Sequence, residues 1–145
     1  MQNDITLNIT SAEWEVMRIV WTLKKTDSKK IIEVLSSKKG WSASTIKTLI
    51  GRLLTKNALK SDKQKRKNIY FANIDEQDAS ELMAINAINN VCCMQQGTVI
   101  KYLINNLEIK KSDIRDLIEI LKRKEKDAKT EINCNCLSCP KEEKL

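Results

Sequence analysis

Apolar residues recur at helical spacing through most of this chain, and polar residues at their upstream ends indicate where the helices begin. Thr10 followed three residues later by Glu13 has the pattern of a capping box, which predicts the start of a first helix. Asp27 or Ser28 caps a second helix, and Gly40 suits the left-handed conformation that ends many helices. The apolar face predicted for the first helix consists of Trp14, Met17, Ile19, Val20, Trp21 and Leu23.

The third helix is predicted from Ala43 to Asn57, with Ser42 as its capping residue. Its apolar residues recur at positions i, i+3, i+4, i+7 and i+8, so they form one continuous face that a core can bury. That face consists of Ile46, Leu49, Ile50, Leu53 and Leu54. The opposite, polar face carries Ser44, Thr45, Lys47, Thr48, Arg52 and Lys56.

The pattern changes after the third helix to two short runs typical of β-strands, Leu59–Lys63 and Asn68–Asn73. The second run contains β-branched and aromatic residues, which favour strands. The basic segment 64–67 is the predicted tip of this hairpin. Three helices followed by a basic hairpin is the order of a winged helix, in which the third helix enters the DNA major groove and the hairpin, or wing, lies along the phosphates.

Three further helices are predicted after the hairpin, the first of them from Asp75 to about Asn90. Gly97 is expected to break this helix, and Ser112 is expected to cap the last one. These helices carry more apolar surface than a winged helix needs, so we expect a second copy of the chain to bury it in a homodimer. A monomeric helical cap on the DNA-binding domain is the alternative. The expected dimer residues are Val99, Ile100, Leu103, Ile104, Leu107, Ile114, Leu117, Ile118 and Leu121.

The fold class expected from these patterns is mainly α. A winged helix-turn-helix DNA-binding domain is predicted at residues 1–74, a helical dimerisation domain at 75–126, and a flexible cysteine-containing tail at 127–145. No run of about 18 apolar residues is present, so no membrane span is expected. The first residues lack the pattern of a signal peptide. We therefore expect a cytoplasmic protein whose cysteines are kept reduced.

Positive charge is concentrated between Thr45 and Lys67, where eight basic residues accompany a single acidic residue, Asp62. This segment therefore carries +7, which is also the net charge of the whole chain. Charge focused in this way is typical of a phosphate-binding surface, although a lysine-rich face can also be merely solvated. The candidate DNA-binding residues are Ser42, Ser44, Thr45, Lys47, Thr48, Arg52, Lys56, Lys63, Lys65, Arg66 and Lys67.

Five cysteines and no histidine define the candidate chemistry of the chain. Cys134, Cys136 and Cys139 lie within six positions, too close together to staple a fold, and thiolates are the ligands that select Cu(I) and Zn(II). These three residues are therefore the predicted metal ligands. Cys92 and Cys93 are expected to pack at a helix end as small apolar residues. Because the chain has neither histidine nor a glycine-rich phosphate loop, we do not expect an enzyme.

Two segments resemble motifs of the BlaI/MecI/CopY family of bacterial repressors. Residues 9–21, with the sequence ITSAEWEVMRIVW, are similar to the family's opening helix, and residues 41–53, WSASTIKTLIGRL, are similar to its recognition helix. The two motifs together are specific, and the similarity extends in order and element type over about the first 125 residues. The resemblance implies a winged-helix, homodimeric transcriptional repressor that binds a palindromic DNA operator.

The copper branch of that family, CopY, ends in a Cys-x-Cys-x4-Cys-x-Cys pattern. The resemblance implies that Zn(II) on the tail thiolates supports DNA binding, that Cu(I) replaces it as inducer, and that a copper chaperone is a candidate partner. Cys134 and Cys136 match the first pair of the pattern, whereas Cys139 departs from its spacing and no fourth tail cysteine follows. The β-lactam branch lacks a cysteine-rich tail and is inactivated by proteolysis.

The fourth ligand that a tetrahedral zinc site requires is therefore open. Water, Glu142 or Glu143, Cys92 or Cys93, or a thiolate of a partner chain are the candidates, whereas three thiolates are enough for trigonal Cu(I). The leading hypothesis is a copper-responsive repressor. The alternatives are a β-lactam-type repressor inactivated by proteolysis, a thiol redox-sensing repressor, an architectural DNA-binding protein, and a tail that is a non-functional remnant of the motif.

Overall fold

The computed structural model describes residues 7–134, which form six helices and three strands. The elements are α1 (Ser11–Leu23), β1 (Lys25–Asp27), α2 (Ser28–Lys39), α3 (Ala43–Thr55), β2 (Leu59–Gln64), β3 (Lys67–Ala72), α4 (Glu76–Asn89), α5 (Cys93–Asn106) and α6 (Lys111–Asp127). The chain divides into two compact units, with the division between Asn86 and Ala87 inside α4. The mainly helical class predicted from the sequence is confirmed, while the predicted domain limits at residues 74–75 and 126–127 stay predictions.

The predicted starts of the first three helices are confirmed by their capping side chains. Thr10 Oγ1 accepts a hydrogen bond from the backbone N–H of Glu13 at 3.3 Å, and the Thr10 N–H donates to Oε2 of Glu13 at 3.0 Å, so the capping box is complete. Asp27 caps α2 and Ser42 caps α3 in the same manner, each accepting from an N–H three residues later. Gly40 ends α2 with a left-handed φ of 68°, which glycine adopts without steric cost.

The three strands form one antiparallel sheet in the order β1-β3-β2. β2 and β3 pair from Leu59 opposite Ala72 to Gln64 opposite Lys67, which confirms the predicted hairpin. β1 pairs with the other edge of β3, and this third strand is an addition to what the sequence pattern predicts. The tip of the hairpin is two residues long and begins at Lys65, whose φ of 56° is left-handed.

The first unit has a closed apolar core between α1, α2, α3 and the sheet, and Ala79 of α4 also belongs to it. The indole Nε1 of Trp21 donates to the carbonyl of Ile74 at 2.9 Å, which joins α1 to the segment after β3. Leu23, predicted to lie on the apolar face of α1, is instead 43% exposed, because it is the last residue of the helix and the chain turns away at Lys24 with a φ of 68°. The core includes Val16, Met17, Val20, Trp21, Ile31, Leu35, Ile46, Leu49, Ile50, Leu53, Leu59 and Tyr70.

The turn between α4 and α5 lies earlier in the chain than predicted. α5 begins at Cys93, so Gly97 lies inside this helix and the prediction that it breaks a helix is wrong. The side-chain amide of Gln96 stabilises the turn by donating to the carbonyls of Ile88 and Val91 at 3.1 and 3.3 Å. One interior glycine costs a helix about 1 kcal/mol, which is too little to end it where such contacts support the fold.

The start of α6 also differs from the prediction that Ser112 caps it. The capping position is Lys110, whose side chain makes no capping hydrogen bond within the described part of the chain. Ser112 is already part of the helix, and its hydroxyl lies 3.3 Å from Oδ1 of Asp113. A capping residue must have non-helical backbone angles, so a helical Ser112 cannot take that role.

Candidate nucleic-acid interface and thiol cluster

α3 presents a polar face to solvent because its apolar positions are buried in the core. The helix ends at Thr55, two residues before the predicted end, and its residues 46, 49, 50 and 53 are buried. The predicted DNA-binding residues that lie exposed on the opposite side of α3 are Ser44, Thr45, Lys47, Thr48 and Arg52. The structure therefore brings these five residues onto one face, with the exposed capping residue Ser42 at its start.

Hydroxyl groups are concentrated in the first turns of α3. The Ser42 hydroxyl lies 3.0 Å from that of Ser44 and 2.9 Å from that of Thr45. Thr48 donates its hydroxyl to the backbone carbonyl of Ser44 at 3.0 Å, which leaves its methyl group and its oxygen lone pairs for outside contacts. Small hydroxyls and methyls beside the exposed Lys47 have the chemistry that contacts phosphates and base edges in DNA.

Two residues that the sequence analysis did not single out lie on the same face. Gly51 is in the middle of α3, and a Cβ added there would meet no described atom within 4 Å. Thr55 donates its hydroxyl to the carbonyl of Gly51 at 3.1 Å. The signal in the sequence is spacing, because Gly51 follows Thr48 by three residues and precedes Thr55 by four, and such residues are neighbours on a helix.

The wing, defined as β2, β3 and the tip between them, carries the other basic candidates. Lys63, Lys65, Arg66 and Lys67 are all exposed. The ammonium of Lys67 lies 3.4 Å from Oδ2 of Asp27, and the hydrogen bond from the backbone N–H at position 30 together with Lys67 holds the pKa of that carboxyl below its ordinary value. The tip of the wing is thus a cationic surface, and Lys67 at its base also faces an acidic partner.

Lys56 differs from the other basic candidates because its ammonium pairs with a buried carboxylate. Its Nζ donates to Oε2 of Glu13 at 2.6 Å and to the carbonyl of Asn8 at 2.6 Å. Burial raises the pKa of Glu13, but the hydrogen bonds from Lys56 and Thr10 outweigh this effect, so the pKa of Glu13 lies below its ordinary value. The structure therefore places the Lys56 ammonium against the first unit's own core rather than with the exposed face of α3.

The predicted dimer residues belong to α5, including its C-terminal capping residue Leu107, and to α6, two helices that bury none of their own residues. Within residues 93–127, which the structure describes throughout, α5 and α6 contain no buried residue. Val99 and Leu117 are half-buried. Seven of the predicted residues are between 38% and 60% exposed, namely Ile100, Leu103, Ile104, Leu107, Ile114, Ile118 and Leu121.

None of the described helices is long and apolar enough to span a membrane.

Three thiols come together in the second unit. The Sγ atoms of Cys92, Cys93 and Cys134 all lie within 4.8 Å of one another, and those of Cys92 and Cys134 are 3.3 Å apart. All three residues are half-buried. The other two predicted ligands, Cys136 and Cys139, lie outside the described residues, as do Glu142 and Glu143.

The cluster changes the interpretation of Cys92 and Cys93. The sequence favours helix-end packing for both, and they do lie at a helix end, as the capping residue and the first residue of α5. Their sulfur atoms nevertheless face a third thiol that is more than 40 positions away in the chain. Three thiols at this separation form a donor set suited to a soft metal ion.

Comparison with known proteins gives matches along most of the chain. The sequence profile of the family described as penicillinase repressor matches residues 9–123. An uncharacterized 16.5 kDa protein of Latilactobacillus sakei is 39% identical over 142 residues, which are 95% of this chain and 97% of that protein. The methicillin resistance regulatory protein MecI of Staphylococcus aureus strain N315 is 33% identical over 119 residues, which are 82% of this chain and 97% of MecI.

One of the solved structures similar to this chain is the solution structure of the DNA-binding domain of the repressor BlaI. It is 38% identical, covers 50% of this chain and 89% of that domain, and gives a TM-score of 0.47. The profile match to residues 9–123 begins before α1 and ends within α6. It therefore includes α3 and the wing, and it ends before Cys134.

Proposed function

This chain belongs to the penicillinase repressor family, and on that basis we propose that it is a copper-responsive repressor that binds a palindromic operator as a homodimer. The family consists of transcriptional repressors with a DNA-binding domain, and this level of function follows from the match to residues 9–123. The operator symmetry, the dimer and the copper response are the proposal. Because a repressor acts where its operator lies, we place the protein in the cytoplasm.

The proposal assigns DNA recognition to α3 and the wing. Lys47 and Arg52 on the exposed face of α3 can donate to guanine edges, and the methyl of Thr48 can contact a thymine methyl. Lys65 and Arg66 at the tip of the wing supply positive charge for the phosphates, which gives affinity that falls with salt. Base contacts and phosphate contacts thus come from different elements of the first unit.

The proposal assigns the exposed apolar faces of α5 and α6 to a second copy of the chain. Helices that bury none of their own residues gain little stability unless another surface covers them, and soluble monomers rarely expose large apolar patches. A two-fold dimer presents two copies of α3, which is the arrangement that reads the two halves of a palindrome.

The cluster of Cys92, Cys93 and Cys134 is the observation that supports a copper response. The chain contains no histidine, so cysteine thiolates are the metal ligands that it offers at this cluster. Thiolates are soft ligands, which bind Cu(I) or Zn(II) in preference to Mg²⁺ or Ca²⁺. Bound copper would supply the positive charge that holds several thiolates at one point. A 100-fold loss of operator affinity on copper binding requires a coupling free energy of about 2.7 kcal/mol.

Regulation of β-lactam resistance is the second candidate function, because MecI, a methicillin resistance regulatory protein, is 33% identical and is covered over 97% of its length. For this candidate we expect inactivation by cleavage within the dimerisation helices. Removing the segment after residue 127 should then leave both repression and its release unchanged, whereas the copper proposal requires that segment.

Operator binding measured by fluorescence anisotropy under anaerobic, reducing conditions tests the proposal. The duplex is a palindrome from the protein's own promoter, and Cu(I) is titrated into complexes of the wild type and of a Cys134→Ser/Cys136→Ser/Cys139→Ser variant. We expect copper to release the wild type and not the variant. If copper leaves the wild type bound, the copper response is wrong, and cleavage or oxidation becomes the signal to measure.

A further inference from the structure

We propose that Cys92, Cys93 and Cys134 form a three-thiolate site for one Cu(I) ion, in which the start of α5 supplies two ligands and the segment after α6 supplies the third. The inference rests on the proposed function for the choice of metal. The proposed site differs in its ligands from a site built within the tail alone. A tail site would use Cys136 and Cys139, whereas this site uses Cys92 and Cys93 at the start of α5.

The separations of the sulfur atoms fit a shared metal ion. Three thiolates bonded to one ion at about 2.3 Å, the length of a zinc–thiolate bond, lie about 4 Å from one another in a trigonal plane. The three sulfurs here are within 4.8 Å of one another, and Cys92 and Cys134 are 3.3 Å apart. Shifts of less than about 1 Å therefore suffice to make them equidistant from a common centre.

The backbone holds two of the ligands in place without the metal. Cys92 is the capping residue, with non-helical angles of φ −50° and ψ 131°, and Cys93 is the first residue of a 14-residue helix. The amide of Gln96 fixes the same turn by its hydrogen bonds to Ile88 and Val91. The N-terminal end of a helix carries a partial positive charge, which stabilises the negative charge of thiolate ligands there.

The third ligand comes from the chain that follows α6. Cys134 lies seven residues after Asp127, the end of that helix, and the Sγ of Cys93 lies 3.8 Å from the carbonyl of Asn133. Two consecutive residues of this segment, Asn133 and Cys134, therefore contact the cysteines at the start of α5. Among the described residues, these three cysteines are the group of possible metal ligands that gathers at one point.

Such a site would act on the dimerisation helices directly. A metal that joins Cys92 and Cys93 to Cys134 closes a loop that contains all of α5 and α6, and the nine predicted dimer residues lie within that loop. Copper binding would therefore constrain the two helices whose apolar faces the proposal assigns to the second subunit. This connection gives the metal a physical route to the geometry of the dimer.

Cu(I) binding to the full-length protein, measured anaerobically in competition with the chelator bicinchoninate, tests the ligand set. We compare the wild type with a Cys92→Ser/Cys93→Ser variant and with a Cys136→Ser/Cys139→Ser variant, which removes the same number of thiols. We expect the first variant to lose at least tenfold in Cu(I) affinity and the second to stay within about threefold. The reverse pattern, or an equal loss in both, overturns the three-ligand assignment. Zn(II) binding without Cu(I) binding overturns the choice of metal.

Thiol protection in the wild type gives a second readout that needs no variant. We expect Cu(I) to slow alkylation of Cys92 and Cys93 by N-ethylmaleimide at least tenfold, as located by mass spectrometry of peptides. Unchanged alkylation of these two residues overturns the inference. These measurements distinguish failure of the proposed site from failure of the proposed function. If copper protects the two thiols but does not release the operator, only the proposed function is contradicted. Copper that releases the operator equally well from the Cys92→Ser/Cys93→Ser variant contradicts only this site.

Discussion

The ammonium of Lys56 lies 2.6 Å from Oε2 of Glu13, a carboxylate that is only 1% exposed to solvent. Glu13 also completes the capping box of α1 with Thr10, and Lys56 is the residue that caps the C-terminal end of α3. One carboxylate therefore fixes both the start of α1 and the end of α3. α3 is thus anchored at its C-terminal end, while Ser44, Thr45, Lys47 and Thr48 in its first turns are exposed.

Replacing Lys56 by methionine should destabilise the first unit by about 3 kcal/mol, because it leaves a buried carboxylate without its cationic partner. Urea unfolding followed by circular dichroism measures the change. The matched control is Lys47→Met on the exposed face of the same helix, which should change stability by less than about 0.5 kcal/mol. Equal stability of the two variants would show that the ion pair contributes nothing.

The pH dependence of stability should carry the signature of Glu13. Its pKa is lowered in the folded state, so it contributes stability that is complete above its ordinary pKa of 4.5 and is lost as the pH falls through the lower, folded-state value. The wild type should therefore be more stable than Glu13→Gln at pH 7, and the difference should shrink below about pH 4.5. Unfolding midpoints measured between pH 7 and pH 3 test this, and a constant difference would contradict it.

Gly51→Ala should stabilise the free protein by about 1 kcal/mol, because an interior helical glycine is replaced and the new methyl meets no described atom within 4 Å. We expect the same variant to weaken operator binding, since a glycine without an internal packing reason on this face suits close approach of DNA. Gly97→Ala in α5, where the added methyl is equally unobstructed, is the control. Unchanged operator affinity of Gly51→Ala would remove the glycine from the interface.

The wing should contribute to affinity through charge alone. The double substitution Lys65→Gln/Arg66→Gln should lower the slope of log affinity against log salt concentration by about 1.8, which corresponds to two phosphate contacts. Anisotropy titrations at several salt concentrations, with operator and with an unrelated duplex, measure it. We expect the same change with both duplexes. Lys122→Gln/Arg123→Gln on α6 removes equal charge and should leave the slope unaltered.

Leu103→Lys on α5 should convert a dimer into a monomer, because it places a charge on the apolar face assigned to the second subunit. Analytical ultracentrifugation gives the mass, and operator binding of the variant should fall to the affinity of a half-site. Asn105→Lys adds the same charge at an exposed polar position of the same helix and should remain dimeric. A monomeric wild type would contradict the assignment of both helices.

Local signals in the sequence predicted most of the first unit. Thr10, Asp27 and Ser42 each accept a hydrogen bond from an N–H three residues later, and Gly40 adopts a left-handed conformation at one position. These roles depend only on nearby residues, so they can be predicted from a single sequence. β1 was not predicted because a three-residue strand is too short to show periodicity. It forms by pairing along its whole length with β3, from Lys25 opposite Phe71 to Asp27 opposite Ile69, far along the chain. Pairing between distant segments leaves no local pattern to recognise.

The second unit was harder to predict because its helices are weakly marked. α5 begins at Cys93, and its capping residue Cys92 makes no side-chain capping hydrogen bond with any described residue. The sequence therefore has no local signal for this helix start, and it favours Gly97 as a helix breaker instead. The polar face of α3 followed from helical spacing, which places Gly51 on it as well, but only the structure shows that no described atom would contact a side chain at Gly51. The meeting of Cys92 with Cys134 depends on where the chain runs after α6, and spacing in sequence does not encode that path.

The rings of Trp14 and Trp21 meet edge-on with their centroids 5.0 Å apart, and Trp41 is the third and last tryptophan of the sequence. All three belong to the first unit, whereas Tyr102 is an aromatic residue of the second. Excitation of indole near 295 nm therefore selects one half of the molecule. The three tryptophans are therefore an intrinsic fluorescent probe, and their emission in an unmodified sample reports on the first unit alone.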